Sequence, residues 1–398
     1  MAAILPSPMF MQQEAEGNSQ MKPDFDLVIV GGSFAGLVCA RTAAMRGLKV
    51  AVIDRKRDPG AQVRTTGILV KEAADVLDLP AGVSRKVRGV RIYAPSGRHR
   101  DLESDGYYFL ATDTPALLRW LALDASLAGA RLLYGARWQG ACYEPGGLRL
   151  RGLDISTRYL IGADGARSQV ARSFGLGLNE RVLMGSEIHV PCLPELDRGH
   201  LHCFFGRDQA PGYIGWAVPG VGCTQIGIAT KSDRRPDLGP VLRQIEALTG
   251  LSDLDLSERR CGLIPVGGPV RPFATDRVML IGDAAGLVSP LTGGGIHNAF
   301  RYGHRAAQVV SDYLQDRGTE PSQVLAREVP SYALKSLMRR TMDIGAPDWM
   351  IEAMLGTPVM GALAQSIFFR PRTITLPSMT PAFRHAPAAR ALGATGVV

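Results

Sequence analysis

Residues 277–286 read Arg-Val-Met-Leu-Ile-Gly-Asp-Ala-Ala-Gly, and residues 290–296 follow with Pro-Leu-Thr-Gly-Gly-Gly-Ile. The apolar run predicts a buried parallel strand that ends in Gly282-Asp283, and the glycine-rich bend leads into an amphipathic segment. A carboxylate at a strand end and backbone N–H groups after a glycine bend suit a ribityl-phosphate chain. The stretch therefore predicts a cofactor site.

A second glycine motif, Gly-Gly-Ser-Phe-Ala-Gly at 31–36, lies between a predicted strand at 26–30 and a predicted helix at 35–46. It keeps the outer glycines of the G-x-G-x-x-G fingerprint and has Ser33 at the middle one, where a hydroxyl can donate to a phosphate oxygen. Asp54 ends the next predicted strand, at 49–53, where a carboxylate accepts ribose hydroxyls. The unit predicts nucleotide binding rather than a merely tight turn.

Composition indicates a globular chain of two or three lobes, with 398 residues and 46% hydrophobic content. The six cysteines are scattered without a C-x-x-C pair, so we expect neither a disulfide framework nor a metal site, and a reducing cytoplasm fits best. We find no signal peptide pattern and no apolar run of about 18 residues. The net charge of +8 suits a phosphate-bearing ligand or an anionic membrane surface, whereas the dispersed basic residues argue against nucleic acid.

The rest of the pattern predicts a second lobe inserted into the first. We expect a hairpin at 88–93 and 98–102, a helix at 114–128 and a strand at 158–161 that ends in Gly162-Ala-Asp-Gly165. Short antiparallel strands follow between 182 and 230, one of them at 213–218, before the parallel pattern returns at 278–314. Two further helices are predicted at 322–342 and 348–369, the second interrupted at 356–358.

The predicted fold class is α/β, with a Rossmann-like, parallel-sheet domain, an inserted and mostly antiparallel β domain, and C-terminal helices. Its parts are a disordered arm (1–22), a discontinuous nucleotide-binding domain (23–84, 106–178 and 271–320), a substrate-binding β lobe (85–105 and 179–270), C-terminal helices (321–370) and a mobile tail (371–398). The C-terminal helices carry many Met and Leu residues beside Arg339 and Arg340, which suits core packing, closure of a lipophilic pocket, or contact with a bilayer face.

Together, the segments at 31–36, 162–168 and 282–283 resemble the fingerprints of FAD-dependent oxidoreductases, the superfamily of geranylgeranyl reductases, flavin halogenases and aromatic-ring hydroxylases (class A flavin monooxygenases). The resemblance implies that the first motif holds the FAD diphosphate, with Arg119 nearby, that Asp54 binds the adenosine ribose, and that Asp164 lies where flavin or a nicotinamide diphosphate approaches. It implies that Asp283 binds the ribityl hydroxyls and that 293–296 faces the flavin pyrimidine edge. The full predicted cofactor set is Gly31, Gly32, Ser33, Phe34, Ala35, Gly36, Asp54, Arg55, Arg119, Asp164, Gly282, Asp283, Pro290, Gly293, Gly294, Gly295 and Ile296.

The loop at 286–297 looks most like the geranylgeranyl reductase branch. The segment 211–219 resembles that branch's Tyr-x-Trp-x-Phe-Pro substrate signature, with Ile214 in the tyrosine position, Val218 in the phenylalanine position, and Tyr213 one place early. Substrate contacts are therefore predicted at Tyr213, Ile214, Trp216 and Val218, against the alternative of ordinary sheet core. Alternation along a strand predicts that Tyr213 and Trp216 face opposite sides unless a bulge lies at Gly215. Where this branch often has Cys-Gly, the chain has Thr66-Gly67.

The resemblance leaves three functions open. The first is a reductase or dehydrogenase that acts on a hydrophobic, isoprenoid or polyketide-like molecule by hydride transfer at flavin N5. The second is a monooxygenase that uses NAD(P)H and oxygen, and the third is a non-catalytic electron carrier. No protein side chain is predicted to be catalytic, because the flavin performs the chemistry. Electrons are expected from transient NAD(P)H or from a redox partner protein, and peripheral contact with the inner face of a membrane is an open expectation.

Overall fold

The computed structural model describes residues 23–207, 210–251, 259–345 and 347–369. The arm expected at 1–22 and the tail expected at 371–398 lie outside the described residues. The strands, in chain order, are β1 (Phe25–Val30), β2 (Val50–Asp54), β3 (Ile68–Val70), β4 (Ser84–Val87), β5 (Gly89–Tyr93), β6 (His99–Glu103), β7 (Phe109–Thr112), β8 (Arg131–Tyr134), β9 (Ala141–Glu144), β10 (Gly147–Leu150), β11 (Ile155–Gly162), β12 (Val182–Pro191), β13 (His200–Phe204), β14 (Gly215–Pro219), β15 (Cys223–Lys231), β16 (Arg260–Pro265) and β17 (Val278–Leu280).

The helices are α1 (Phe34–Met45), α2 (Lys71–Ala74), α3 (Thr114–Leu127), α4 (Gln169–Ser173), α5 (Gly239–Thr249), α6 (Ile296–Leu314), α7 (Pro321–Glu328), α8 (Ala333–Ile344), α9 (Asp348–Leu355) and α10 (Pro358–Phe369), and a short 3-10 turn spans Gly282–Ala285. Helix α3 begins as its sequence predicts. The Asp113 carboxylate accepts a hydrogen bond from the backbone N–H of Ala116, and Pro115 stands in the first turn.

The first sheet has the strand order β8-β2-β1-β11-β10-β9. Strands β8, β2, β1 and β11 are parallel, as the continuous apolar runs predict. The far side of β11 is shared, since its first residues pair with β10 and its last residues pair with β17. Helices α1 and α6 pack against each other so closely that a Cβ at Gly303 would lie 2.6 Å from the carbonyl oxygen of Ala35. The carboxyl ends of β1, β2, β11 and β17 thus meet at one edge.

The second sheet has the order β16-β12-β15-β14-β13-β5-β6 and is antiparallel except between β13 and β5. A third sheet, β3-β7-β4, packs against one face of the second, where Val87 and Phe109 share an apolar cluster with Val218. We call this the front face; it carries Glu187, Trp216 and Val218. Helix α5 covers the opposite face, where Val241 and Ile245 pack with Ile188. These features confirm the α/β class with an added antiparallel sheet.

Several boundaries differ from the sequence expectations. The helix expected at 322–342 is two helices, α7 and α8, because Pro330 disfavours helical backbone at Val329, which is extended (φ −62°, ψ 129°). The strand expected at 213–218 begins only at Gly215. Helix α5, the β9–β10 hairpin and the third sheet were not predicted. The interruption of the last helix at 356–358 is confirmed.

Candidate functional site

The first glycine motif makes a tight turn between β1 and α1. Gly31 has φ +112°, a conformation that L side chains rarely adopt, and a side chain there would collide with the carbonyl of Ala163 after β11. A side chain at Gly36 would collide with the carbonyl of Gly31. Ser33 stands at the N-cap of α1, but its hydroxyl makes no capping hydrogen bond. The turn therefore presents bare backbone and one hydroxyl at a helix N-terminus, which suits a diphosphate.

Asp54 lies at the carboxyl end of β2, beside this turn. Its carboxylate accepts hydrogen bonds from the backbone N–H of Gly32 (2.7 Å) and of Lys56 (2.9 Å). These bonds fix the carboxylate and leave lone pairs for two further donors, such as ribose hydroxyls. The neighbouring strand contributes Tyr134, whose buried hydroxyl has no hydrogen-bond partner among the residues that the structure describes. Burial, with the nearby Asp54 charge, raises the pKa of Tyr134 above its usual range, so this hydroxyl stays protonated.

The two arginines of the predicted cofactor set lie at the rim of the site. Arg55 is exposed. Arg119 makes a two-pronged ion pair with Asp58, with Nε–Oδ1 and Nη2–Oδ2 distances of 2.9 Å and 2.6 Å, and both partners are substantially exposed. The hydrogen bonds from Arg119 lower the pKa of Asp58. Arg119 would thus have to exchange Asp58 for a phosphate in order to take its predicted role.

Asp164 follows β11 and is held by the chain itself. Its carboxylate accepts hydrogen bonds from the Ser168 hydroxyl (2.6 Å) and from the backbone N–H groups of Gln169 (2.6 Å) and Val170 (3.1 Å). Burial raises the pKa of Asp164 in spite of these bonds. The carboxylate caps α4, so the contacts match an Asp-Gly turn, while the backbone at 163–164 packs directly on Gly31.

Asp283 differs from these two acids because no hydrogen-bond donor within the described part of the chain meets its carboxylate. Burial alone raises the pKa of Asp283 to about 6. The preceding Gly282 has φ +58° and packs on Ala35 of α1, where an added Cβ would lie 2.9 Å from the alanine Cβ. A half-buried carboxylate that meets no donor among the described residues is unfavourable by itself, so its place at this strand end fits a ligand that supplies hydroxyl donors.

Asn179 connects the second and third segments and was not predicted from the sequence. Its side-chain amide donates to the carbonyl oxygens of Asp283 (2.9 Å) and Ala166 (3.2 Å). No motif marks this residue, because an asparagine in a loop is ordinary in sequence and acquires its role only through the fold. With Asn179, all three predicted segments converge at one edge of the first sheet.

The glycine bend before α6 faces both Asp283 and the second sheet. A Cβ at Gly295 would lie 3.3 Å from Asp283 Oδ1, and one at Gly293, which has φ +62°, would lie 2.6 Å from the Tyr213 hydroxyl. Pro290 is buried within the bend, and Gly294 accepts a hydrogen bond from the Ser289 N–H through its carbonyl. Helix α6 begins at Ile296 with no side-chain cap, so its first N–H groups and dipole are directed at this bend.

Of the predicted substrate residues, Tyr213 lies directly across this bend. Ile214, Trp216 and Val218 pack in one apolar cluster on the front face, while Gly215 points to α5, where a side chain would collide with Val241. Tyr213 was expected to face away from Trp216, and that expectation is wrong. Tyr213 precedes the strand, after a turn at Gly212 with φ +79°, and it packs beside Ile214 and Trp216.

The donor set and the glycine cradle fit FAD. The bare backbone at Gly31–Gly36 suits the diphosphate, and Asp54 at the end of β2 suits the adenosine ribose. Asp283, a desolvated acid beside the uncapped start of α6, suits the ribityl chain. Matches to family models agree, with an FAD dependent oxidoreductase model covering residues 26–147 and an FAD binding domain model covering residues 147–322. The chain is an FAD-dependent oxidoreductase.

Relatives narrow the family. A digeranylgeranylglycerophospholipid reductase from Methanothrix thermoacetophila is 31% identical over 76% of this chain and 82% of its own length. Another, from Methanothermobacter thermautotrophicus, is 28% identical over 83% of this chain and 91% of its own length. The chain therefore belongs to the FAD-dependent oxidoreductase family that contains these reductases.

Solved structures show the same fold. A geranylgeranyl bacteriochlorophyll reductase-like protein from Thermoplasma acidophilum superposes with a TM-score of 0.76 at 23% identity, covering 87% of this chain and 96% of that one. A flavin-dependent brominase triple mutant gives a TM-score of 0.66 at 15% identity, covering 86% of this chain and 98% of that one. At such identities the likeness shows the fold alone.

Proposed function

We propose that this protein reduces carbon–carbon double bonds in a hydrophobic lipid that carries geranylgeranyl-type isoprenoid chains. The observation that carries the proposal is an apolar wall formed by Ile214, Trp216 and Val218 next to Tyr213, whose hydroxyl reaches the glycine bend at Gly293. The names of the related reductases support the same class of substrate. Bound FAD would supply hydride transfer at N5.

The chain's own residues would bind and orient the reactants. The wall offers apolar side chains to an isoprenoid chain and excludes water from it. Tyr213 reaches the bend from the same side, and burial keeps its hydroxyl protonated by raising its pKa. At the bend, the first N–H groups of α6 present partial positive charge, which would stabilise negative charge on a reduced flavin bound there. Asp283 would hold the ribityl chain.

The competing monooxygenase function predicts different products. Under anaerobic conditions, chemically reduced protein mixed with a digeranylgeranylglycerophospholipid should yield a lipid heavier by one pair of hydrogens for each double bond reduced, as measured by mass spectrometry. Rapid oxygen consumption stimulated by an aromatic substrate and NAD(P)H, without lipid reduction, would instead establish the hydroxylase. Absence of turnover with either substrate would favour an electron carrier over both.

The electron donor follows from a separate observation. Only one glycine fingerprint of the dinucleotide type occurs in the sequence, and among the described sheets only the first is mainly parallel. We infer that electrons arrive either from NAD(P)H that binds transiently or from a redox partner protein. Anaerobic mixing of the oxidised protein with NADH or NADPH distinguishes the two, because bleaching of the flavin absorption requires a competent nicotinamide donor.

We also infer that α8, α9 and α10 rest on an anionic bilayer. Leu334, Trp349 and Val359 are exposed to 70%, 72% and 75%, and the exposed Arg340 lies close to them in sequence. Among the described helices, none alone is long and apolar enough to cross a bilayer. Helices α9 and α10 reach the required length and apolarity only when they are taken together, and the chain is bent by 90° between them. An apolar surface with basic neighbours suits interfacial binding.

The same helices are docked on the substrate lobe. Arg100 of β6 donates hydrogen bonds to the carbonyl oxygens of Leu355 (2.9 Å) and Thr357 (2.7 Å), where α9 turns into α10. At the end of α10, the ring of Phe369 is buried against Tyr107 and Phe109. Contact with a membrane at this surface would therefore bring a lipid substrate close to the front face.

A further inference from the structure

A buried carboxylate on the front face joins the two lobes. Glu187 lies in β12, and its side chain is only 9% exposed. Its Oε2 atom accepts a hydrogen bond from the Thr66 hydroxyl (2.6 Å) and another from the indole N–H of Trp216 (3.0 Å). The remaining oxygen, Oε1, lies 3.2 Å from Nε2 of His189. Both oxygens are thus engaged, although Glu187 takes no part in the cofactor site.

The two donors to Oε2 come from different lobes. Thr66 lies in the loop before β3, and this loop is connected to α3 of the nucleotide-binding lobe because the Thr114 hydroxyl donates to the Thr66 carbonyl (3.4 Å). Trp216 belongs to the inserted sheet and forms part of the apolar wall. The indole lies flat over Gly227, where an added Cβ would collide with the ring. A single carboxylate oxygen therefore sets the distance between the loop and the indole.

His189 supplies the opposite charge. The titratable groups that face it are Glu187 on its own strand, Cys223 on β15 and Arg260 on β16. Burial and the Arg260 charge favour neutral imidazole, but hydrogen bonds to Cys223 and Glu187 outweigh them and raise the pKa of His189 to about 9. At neutral pH the front face therefore holds an imidazolium–carboxylate pair beneath the wall.

We propose that Glu187 is a positioning residue that fixes the Trp216 indole against the Thr66 loop and so sets the shape of the substrate wall. The role in substrate binding rests on the proposed function, whereas the placement of the indole does not. A carboxylate holds the two donors more firmly than an amide would, because hydrogen bonds to a charged acceptor are shorter and stronger. The His189 imidazolium stabilises that charge in a site with little water.

The pair makes the wall sensitive to alkaline pH. Because the pKa of His189 is raised above its usual 6.5, the stabilisation from its charged form is complete below that value and is lost as the pH rises through about 9. Above that pH Glu187 keeps its two donors but loses the imidazolium, so the indole is held less firmly. The affinity for a substrate that packs on the wall should fall over the same interval.

Fluorine NMR of protein labelled with 5-fluorotryptophan tests the placement without any turnover. The chain has four tryptophans, so the Trp216 signal is assigned by its loss in Trp216→Phe. We expect this signal to titrate with a midpoint near pH 9 in the native protein. In Glu187→Gln it should be shifted and broadened at pH 7, and in His189→Gln the alkaline step should vanish. Glu195→Gln, an exposed acid after the same strand, is the matched control.

The affinity for lipid is measured on the FAD-loaded, oxidised protein by the change in flavin absorption on adding a digeranylgeranylglycerophospholipid in mixed micelles. Glu187→Gln should weaken binding about tenfold, since a neutral acceptor forms the weaker hydrogen bond. Its kcat should change far less than its KM. An unshifted Trp216 signal in Glu187→Gln, or an alkaline step that survives in His189→Gln, would overturn the positioning role. If the native protein neither binds nor reduces the lipid while both NMR results hold, the proposed substrate is wrong and the role of Glu187 stands.

Discussion

Replacing Asp283 by asparagine should change cofactor affinity and ligand-free stability in opposite directions. The carboxylate has no hydrogen-bond donor within the described residues, and burial raises its pKa from 3.8 to about 6. The ionised group therefore destabilises the ligand-free fold. This penalty is complete above about pH 6 and disappears as the pH falls below the ordinary value of 3.8. The ribityl hydroxyls of FAD would relieve the penalty by donating to the carboxylate.

The magnitudes follow from the same shift. A shift of about two pKa units corresponds to roughly 3 kcal/mol of penalty at neutral pH, reduced by any water in the open crevice. A buried asparagine without partners retains part of this, so we expect Asp283→Asn to stabilise the ligand-free protein by about 1–2 kcal/mol. Loss of a charged hydrogen bond to the ribityl chain should weaken FAD binding by roughly 10- to 100-fold. Few substitutions in a binding site have both effects.

The assay is fluorescence titration of ligand-free protein with FAD, together with thermal unfolding of the ligand-free form. For the native protein the dissociation constant should rise about tenfold between pH 7 and pH 5, because FAD binds the ionised carboxylate. In Asp283→Asn that dependence should be absent. Asp276→Asn, an exposed acid in the same segment, should behave like the native protein. If Asp283→Asn keeps the native affinity and the native pH dependence, Asp283 does not hold the ribityl chain.

Further substitutions test the cradle, the C-terminal docking and the membrane surface. Gly36→Ala should abolish FAD retention and lower the unfolding temperature, since its Cβ would collide with the carbonyl of Gly31. Gly47 is the control, because it has positive φ but open space around it. Gly47→Ala should lower the free energy of unfolding by only about 1 kcal/mol and leave the amount of bound flavin, measured by absorbance, unchanged. Arg339 of α8 is fully buried, pairs with Asp343 and lies over the Tyr213 ring. Arg339→Leu should therefore lower the free energy of unfolding by about 2–4 kcal/mol, whereas Arg340→Leu, at an exposed position, should be nearly neutral. Equal effects of the two variants on thermal unfolding would contradict the docking of α8 on the inserted lobe. Replacing Trp349 and Val359 together by serine should weaken flotation with phosphatidylglycerol vesicles about tenfold without changing FAD content, and unaltered flotation would place the membrane contact elsewhere.

The fold was predictable where one local pattern determines it. Apolar runs that end in glycine, in an acid or in both identified β1, β2, β11 and β17, because a parallel strand is buried on both faces. The third sheet was missed since β3, β4 and β7 are short, and their pairing joins residues far apart in sequence. The end of α7 could have been read from Pro330, which a longer helical period obscured.

The three segments that meet at one edge of the first sheet could be predicted from their motifs, whereas the residues that connect these segments and the two lobes could not. Asn179 contacts Asp283, which is 104 residues away in the sequence, and Glu187 contacts Thr66, which is 121 residues away. Neither residue has a local pattern that marks it. The predicted direction of the Tyr213 side chain was wrong for a related reason. Alternation applies only inside a strand, and the turn at Gly212 places Tyr213 outside it.

Binding of FAD should therefore be strongly coupled to the stability of the first lobe. In the described structure the Asp283 carboxylate and the buried Tyr134 hydroxyl lack hydrogen-bond partners, and α1 and α6 begin without side-chain caps. All four features lie along the proposed path of one dinucleotide, and each is unfavourable until a ligand supplies its partner. A ligand that binds only the folded chain at 100 times its dissociation constant adds about 2.7 kcal/mol of stability. Because Asp283 contributes to both terms, the gain from FAD should be smaller in Asp283→Asn than in the native protein, even though the ligand-free variant unfolds at the higher temperature.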